Sequence, residues 1–284
     1  MLFNYVEMSE GTKDLKRFKV RRLPLMNILL VNDDGVTAPG ILCAARYLSK
    51  EHYVVVSAPE SEQSAVGHGI TLRFPLWARK LDINEPFEMY AVSGTPADCV
   101  KIGLDVIYKE KGIVPDVVIS GINRGENLGT DVVYSGTVSG ALEGAIAGIP
   151  SIAISVADFK DPIYDTAALF LLQFLKEFDI RKIPKFTALN INVPSLPFES
   201  IKGWRFTRQS KRRYEDYFEK RIDPSGREYY WMLGDIIEDD PDPKADYKAL
   251  AEKYISVTPI TIFMTNEELL KELEGIYGEG KSLR

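Results

Sequence analysis

From Met26 onward the chain alternates short apolar runs with longer stretches of helical spacing. Asn27-Ile28-Leu29-Leu30-Val31-Asn32 reads as a buried strand, Ala38–Leu48 as a helix, and Tyr53-Val54-Val55-Val56-Ser57-Ala58 as a second strand. A β-excursion is predicted through Leu72–Trp77 and Phe87–Val92, followed by a helix over Ala97–Tyr108 with Val100, Leu104 and Ile107 on one side. Strands over Asp116–Ser120, Ser151–Val156 and Thr187–Val193 then alternate with helices over Gly136–Gly148 and Thr166–Phe178. Near-continuous apolar strands separated by helices predict a parallel sheet covered on both faces. The expected architecture is α/β, a Rossmann-like three-layer core over residues 26–200 with a mostly parallel sheet. In such sheets ligands gather at the carboxyl ends of the strands.

The pattern differs at both ends. Residues 1–25 contain the charge-rich, aperiodic run Lys13–Arg22 and are expected to be a dispensable extension, with Met26 a second candidate start. Residues 201–284 are expected to form a C-terminal arm. Within it, Arg212–Leu233 reads as a β-hairpin around the turn Asp223-Pro224-Ser225-Gly226. A returning strand over Tyr254–Val257 and a terminal helix from Asn266 follow.

Composition narrows the function classes. A net charge of -6 argues against nucleic acid as the main partner, because phosphate-backbone binding needs a basic surplus or stripe. No apolar run is long enough for a membrane helix, and no signal-peptide core opens the sequence. Cys43 and Cys99 are the only cysteines, which reads as two buried thiols in a reducing compartment, so a cytoplasmic location is expected.

Four segments carry candidate chemistry. Asn32-Asp33-Asp34-Gly35 places adjacent carboxylates at the end of the first strand, where they repel and a divalent cation would neutralise them. The same quartet is also ordinary turn chemistry. Ile119–Gly129 is a long glycine-rich connection in which Asn123 and Asn127 offer amide oxygens. Tyr134-Ser135-Gly136-Thr137 opens a helix whose free N–H groups suit a phosphate, with N-capping by Ser135 a compatible reading. Gly136, Gly140, Gly144 and Gly148 leave one face of that helix bare, so it can approach the sheet closely. In Ser93–Asp98, Thr95 reads as a helix cap whose hydroxyl could also face the site. His52 is expected at the surface, and His68 lies in a loop able to approach the site. Gly275–Ser282 matches the P-loop pattern but follows a helix and precedes only Leu283 and Arg284, so it is rejected.

Taken together these blocks resemble the SurE family of stationary-phase survival-protein nucleotidases. The match runs from about Met26 to Met264 and includes Ile28–Gly35, Gly94-Thr95-Pro96-Ala97-Asp98, Ser120–Gly125, Tyr134–Thr137 and Ser256-Val257-Thr258-Pro259. The resemblance implies a metal-dependent phosphomonoesterase acting on nucleoside monophosphates, a 5′-nucleotidase that also takes 3′-nucleotides and short polyphosphate. It implies one divalent ion per subunit, Mg2+ or Mn2+, held by Asp33, Asp34, Ser64 and Asn123. Asp33 and Asp34 are then the catalytic pair, and Asn127, Ser135, Gly136, Thr137 and Thr95 the substrate-binding set. It also implies a homodimer or homotetramer formed through the C-terminal arm. Where the family carries arginine and asparagine before the serine, this chain has Glu62-Gln63, and the late histidine of some members has no counterpart here.

Two rival chemistries fail on residue type. A haloacid-dehalogenase-type phosphatase needs a second aspartate at position 35, which is Gly35, and a dinuclear metallophosphoesterase needs more histidines than two. A nucleotide-binding protein without turnover remains as an alternative of a different class.

Overall fold

A computed structural model of the chain describes residues 25–278. The expected extension over residues 1–25 lies, but for Leu25, outside the described residues. The first half contains β1 (Asn27–Val31), α1 (Pro39–Leu48), β2 (Tyr53–Pro59), β3 (Ala78–Lys80), β4 (Glu88–Val92), α2 (Pro96–Ile102) and β5 (Val117–Arg124). Next come α3 (Asp131–Tyr134), α4 (Gly136–Ile146), β6 (Ser151–Ala157), α5 (Tyr164–Glu177) and β7 (Thr187–Pro194). The last part holds β8 (Trp204–Phe206), β9 (Arg213–Ile222), β10 (Glu228–Ile237), α6 (Asp246–Ala251), β11 (Ile255–Thr261) and α7 (Glu267–Tyr277).

A nine-stranded sheet in the order β3-β4-β2-β1-β5-β6-β7-β11-β8 forms the middle layer. Its strands from β4 through β7 run parallel; β3 is antiparallel to β4, and β11 is antiparallel to β7 but parallel to the edge strand β8. Alternation along β1 shows how one strand serves two layers. Ile28 and Leu30 join the cluster that includes Ile41, Ala44, Phe170 and Phe174 of α1 and α5. Leu29 and Val31 point to the opposite face and meet Cys99 and Val100 of α2. The fold is therefore the three-layer α/β architecture expected from the apolar runs, with a β-hairpin and a terminal helix in its last third.

Helix α4 packs against the sheet through its glycines. A Cβ on Gly140 would lie 2.7 Å from Ser120 Oγ, and one on Gly144 2.5 Å from Ser151 Oγ. Gly148 is not part of this face; it follows the helix with φ +80 and reverses the chain into β6.

Several local expectations are corrected. Leu72–Trp77 forms no strand, and only Ala78–Lys80 pairs with β4, because Leu72, Phe74 and Trp77 are exposed rather than alternating into the core. β5 continues through Gly121–Arg124 with an irregularity between Gly121 and Asn123, so the connection to α4 is shorter than the sequence suggested. The helix after Thr95 widens to a π-helical turn over Gly103–Tyr108. The hairpin extends to Ile237, and α6 lacks the length for a clear helical period. His52 is buried, not at the surface: its Nδ1 accepts the Met26 N–H at 3.4 Å, and burial lowers its pKa. Cys43 is only partly buried while Cys99 is fully so; both are free, and burial pushes Cys43 up to about 12.

Among the described residues, ribbon β9–β10 pairs only with itself and is exposed along nearly its whole length. Its root, by contrast, is buried. Arg212 is 2% exposed and reaches Glu126 at 2.9 Å, Asp131 at 2.5 Å and Glu238 at 3.0 Å. The Arg212 carbonyl accepts the Thr130 N–H at 2.9 Å, and Gln209 Nε2 donates to Gly129 O at 2.8 Å. One arginine thus joins the hairpin to the loop leading into α3 and α4. Among the described residues no helix is long and apolar enough to cross a membrane.

Candidate active site

The site forms where neighbours β2, β1 and β5 end, beside the N-terminus of α4. The crossover direction changes here, β2 lying on one side of β1 and β5 on the other, which opens a crevice at the carboxyl edge. Asn32 Nδ2 donates to Gly35 O at 2.9 Å and closes a tight turn. That turn sends Asp33 toward α4 and Asp34 toward β5.

Asp33 is 5% exposed. The Thr137 hydroxyl donates to its Oδ1. Gly136 carries no side chain because none fits: a Cβ there would lie 2.7 Å from Asp33 Cβ and 2.8 Å from Oδ2. Ser135 caps α4 by accepting the Val138 N–H at 3.1 Å, and so aims the helix's positive end at the carboxylate. Burial pushes the Asp33 pKa up to about 6; the Thr137 hydrogen bond opposes this and the charge of Asp34 adds to it. Asp34 Oδ2 accepts the backbone N–H of Arg124 at 3.2 Å. Its pKa is also raised, by burial first and then by Glu62, against the pull of Arg124.

Behind the pair runs the loop after β2. The Gln63 N–H donates to Asp33 O at 2.8 Å, which brings Glu62, Gln63 and Ser64 to the site. Ser64 is exposed, and its hydroxyl donates to Glu62 Oε1 at 2.6 Å. Farther on, Gly67 donates to Tyr134 O at 3.0 Å and accepts from Ser139 Oγ at 2.9 Å. His68 Nε2 meets Glu143 Oε2 at 2.8 Å, so the histidine anchors the loop to α4 well beyond Thr137. Burial pushes Glu143 up, but hydrogen bonds from His68 and Lys101 outweigh it and hold the carboxyl below its usual range.

Asn123 lies beside Arg124 on β5, with its Nδ2 donating to Gly125 O at 2.8 Å. Asn127 sits in an amide ladder that the sequence reading did not anticipate. Its N–H donates to Asn192 Oδ1 at 2.8 Å, its carbonyl accepts from Asn190 Nδ2 at 2.8 Å, and its own Nδ2 donates to Ser155 Oγ at 2.9 Å. Asn190 and Asn192 are fully buried in β7, and two amides at i and i+2 in an apolar strand were the available signal. Thr95 has its hydroxyl engaged: it donates to Gly69 O at 2.7 Å and accepts from Asp98 N at 3.2 Å in a capping box. Asp98 in turn holds Thr71, so this cap fixes the far end of the loop that bears Ser64.

The structure therefore brings together Asp33, Asp34, Ser135, Gly136, Thr137 and the Glu62–Ser64 segment, with Asn123 adjoining and Thr95 in a supporting position. The donor set suits a hard cation. Among the described residues, Asp33 and Asp34 accept a hydroxyl and backbone N–H groups rather than a cationic side chain, and both carboxyls are pushed up by burial. A divalent ion with oxygen ligands is the charge that removes this penalty.

Comparison with known proteins decides the relationship. The family model described as "Survival protein SurE" matches residues 28–216. The chain belongs to the SurE family. A relative from Fervidobacterium nodosum, called 5′-nucleotidase SurE, is 91% identical over 259 residues, covering 91% of this chain and all of the relative. The protein of the same name from Thermosipho melanesiensis is 74% identical over the same span. The crystal structure of the SurE protein from Aquifex aeolicus shares 43% identity and superposes with a TM-score of 0.75, covering 88% of this chain and 99% of that one. The rejected P-loop match finds no role in this frame: Gly275 lies inside α7, and its last residues, from 279 on, fall outside the described residues.

Proposed function

We propose that the chain is a divalent-metal-dependent 5′-nucleotidase whose reacting centre is the Asp33–Asp34 pair. The observation that carries this reading is the carboxylate pair at the end of β1 in a SurE-family chain, Asp33 buried under the N-terminus of α4 and Asp34 half-buried beside β5, both with pKa values raised by burial. Asp33, Asp34, Ser64 and Asn123 would hold the ion, Mg2+ or Mn2+, one per subunit. When bound, the ion supplies Lewis-acid charge to a phosphoryl oxygen and acidity to water. The remaining work falls to the chain. Thr137 aligns Asp33 through its hydroxyl, and Gly136 lets the helix end come close enough for its N–H groups to face phosphoryl oxygens. Ser135 accepts from Val138 and keeps its own proton for a phosphoryl oxygen. Asn127 contributes by holding the loop after β5 in place and offers its Nδ2 only by exchanging Ser155. Thr95 acts from farther away, through the loop it caps.

Phosphate release from a panel of 5′-nucleotides, 3′-nucleotides and short polyphosphate tests this, with chelated enzyme and Mg2+ or Mn2+ added back. Release from 5′-nucleotides that disappears on chelation and returns with the ion is expected. No release with any divalent ion identifies a nucleotide-binding protein instead.

The reading extends to assembly. Tyr217, Phe218, Tyr230 and Trp231 are exposed on a ribbon that has no third strand among the described residues, and Leu269, Leu270, Leu273 and Ile276 are exposed on α7. A two-stranded ribbon of this kind is marginal alone, so a neighbouring subunit is the cover that fits, in a homodimer or homotetramer. Light scattering should give a multiple of the 31.9 kDa chain mass. A variant with residues 214–236 replaced by a short glycine turn should lose assembly. A monomeric intact chain at micromolar concentration would refute the arm's role.

A further inference from the structure

β6 ends at Ala157, and the turn that follows is held tightly at the carboxyl edge of the sheet. Asp158 Oδ1 accepts the N–H groups of Lys160 at 2.7 Å and Asp161 at 3.2 Å. Ser195 Oγ accepts from Ile163 N at 3.0 Å and donates to Asp161 O at 3.2 Å. Between these anchors stands Phe159, 61% exposed although its backbone is fixed on both sides. Its ring does not point away from the protein. A Cβ built on Gly125 would fall 2.1 Å from Phe159 Cε1 and 2.2 Å from Cζ, so the outer edge of the ring lies directly against the Gly125 backbone.

Gly125 belongs to the reacting centre's own frame. Its carbonyl fixes the Asn123 amide at 2.8 Å, and the residue before it gives its N–H to Asp34 at 3.2 Å. With φ +94 and no room for a side chain, position 125 requires glycine, which lets the aromatic ring approach within one residue of Arg124. An exposed phenyl ring on a rigid turn beside the Asp33–Asp34 centre leaves a π-surface open next to the place proposed for the phosphate monoester. The exposed Arg124 adds a cationic side chain at the same rim.

We propose that Phe159 is the nucleobase platform of this enzyme: the base of a nucleoside monophosphate stacks on its ring while the phosphate occupies the Asp33–Asp34 centre. This rests on the nucleotidase reading and deepens it by naming the residue that separates nucleotides from other phosphate monoesters. Stacking tolerates any base, because each has a π-face, so the platform selects for the presence of a base rather than its identity. Purines, with the larger face, are favoured over pyrimidines.

Steady-state kinetics of wild type, Phe159→Ala, Phe159→Leu and Phe159→Trp on 5′-AMP and on ribose 5-phosphate, with the activating ion present, test the proposal. Phe159→Ala should raise KM for 5′-AMP about tenfold, a factor typical of base–aromatic stacking, with kcat retained. Ribose 5-phosphate, which has no base, should be turned over as before. Phe159→Leu keeps an apolar contact with Gly125 but has no π-face, so it should match Phe159→Ala, and Phe159→Trp should match wild type. Equal losses on both substrates, or restoration by Leu, would show that the ring serves only to pack against Gly125 and would overturn the proposal. So would an unchanged KM for 5′-AMP in all three variants. Wild type that hydrolyses ribose 5-phosphate but no nucleotide overturns the nucleotidase reading itself, a separate outcome.

Discussion

Asp33→Asn and Asp34→Asn should each lower phosphate release from 5′-nucleotides by on the order of a thousandfold or more, at matched metal concentration. Each replacement removes one of the two charges that would hold the ion and leaves the side-chain shape nearly unchanged. The fold should survive, because an asparagine at 33 can still accept the Thr137 hydroxyl through its amide oxygen. In the chelated protein, Asp33→Asn should also change the pH dependence of stability. The Asp33 pKa rises from 3.8 to about 6 on folding, chiefly through burial. The folded chain therefore binds more protons than the unfolded chain between those values. The protonated carboxyl's advantage is complete below pH 3.8 and is lost as pH rises through about 6. That loss is on the order of 3 kcal/mol, and the asparagine variant does not suffer it. Urea unfolding in chelator at pH 4 to pH 8 should show wild type weakening relative to Asp33→Asn across this window. Full activity in both variants at matched metal would sink the metal-site reading.

Arg212→Ala should destabilise the chain by about 3–5 kcal/mol. The guanidinium is 2% exposed, and its removal leaves Glu126 and Asp131 largely buried without their cation. Glu238 is 45% exposed and contributes little to the loss, since water screens it. Arg212→Lys should recover only part of the stability, because one ammonium cannot reproduce the planar fork that reaches three carboxylates. Thermal unfolding read by circular dichroism should show Arg212→Ala lower by about 10 °C. Hydrogen exchange should quicken first in the hairpin and in residues 126–131, the two segments this side chain joins. A melting temperature within a degree or two of wild type would show that the node is not a stabilising one.

Much of the fold was legible because its signals are local. β1 and β2 are runs rich in branched apolar residues, and β6 and β7 interleave such residues with small or amide ones; burial on both sheet faces produces these largely apolar stretches whatever the neighbours are. The glycine spacing in α4 announced a close approach to the sheet, and Gly140 and Gly144 make it. Adjacent aspartates at a strand end pointed to charge chemistry for the same reason: their repulsion is a property of two neighbouring residues. Leu72–Trp77 misled because its apolar residues are exposed, and hydrophobicity alone does not say what covers a side chain. His52 misled in the opposite sense, being polar by type and buried by position.

Sequence by itself determined the α/β class, the layer order along the chain, the acidic pair at the end of β1 and the helix start at Ser135. Each of these depends on residues close together in the chain, where periodicity, capping and charge repulsion act directly. Only the tertiary structure decided that Thr137 donates to Asp33, that Gly136 exists to admit that carboxylate, and that Arg212 clamps Glu126 and Asp131. It also decided that Asn190 and Asn192 hold Asn127, and that Phe159 lies on Gly125. These partners lie far apart in the chain and meet because parallel strands carry their loops to one edge of the sheet. The free energy of such contacts depends on burial and distance, which residue order does not encode locally.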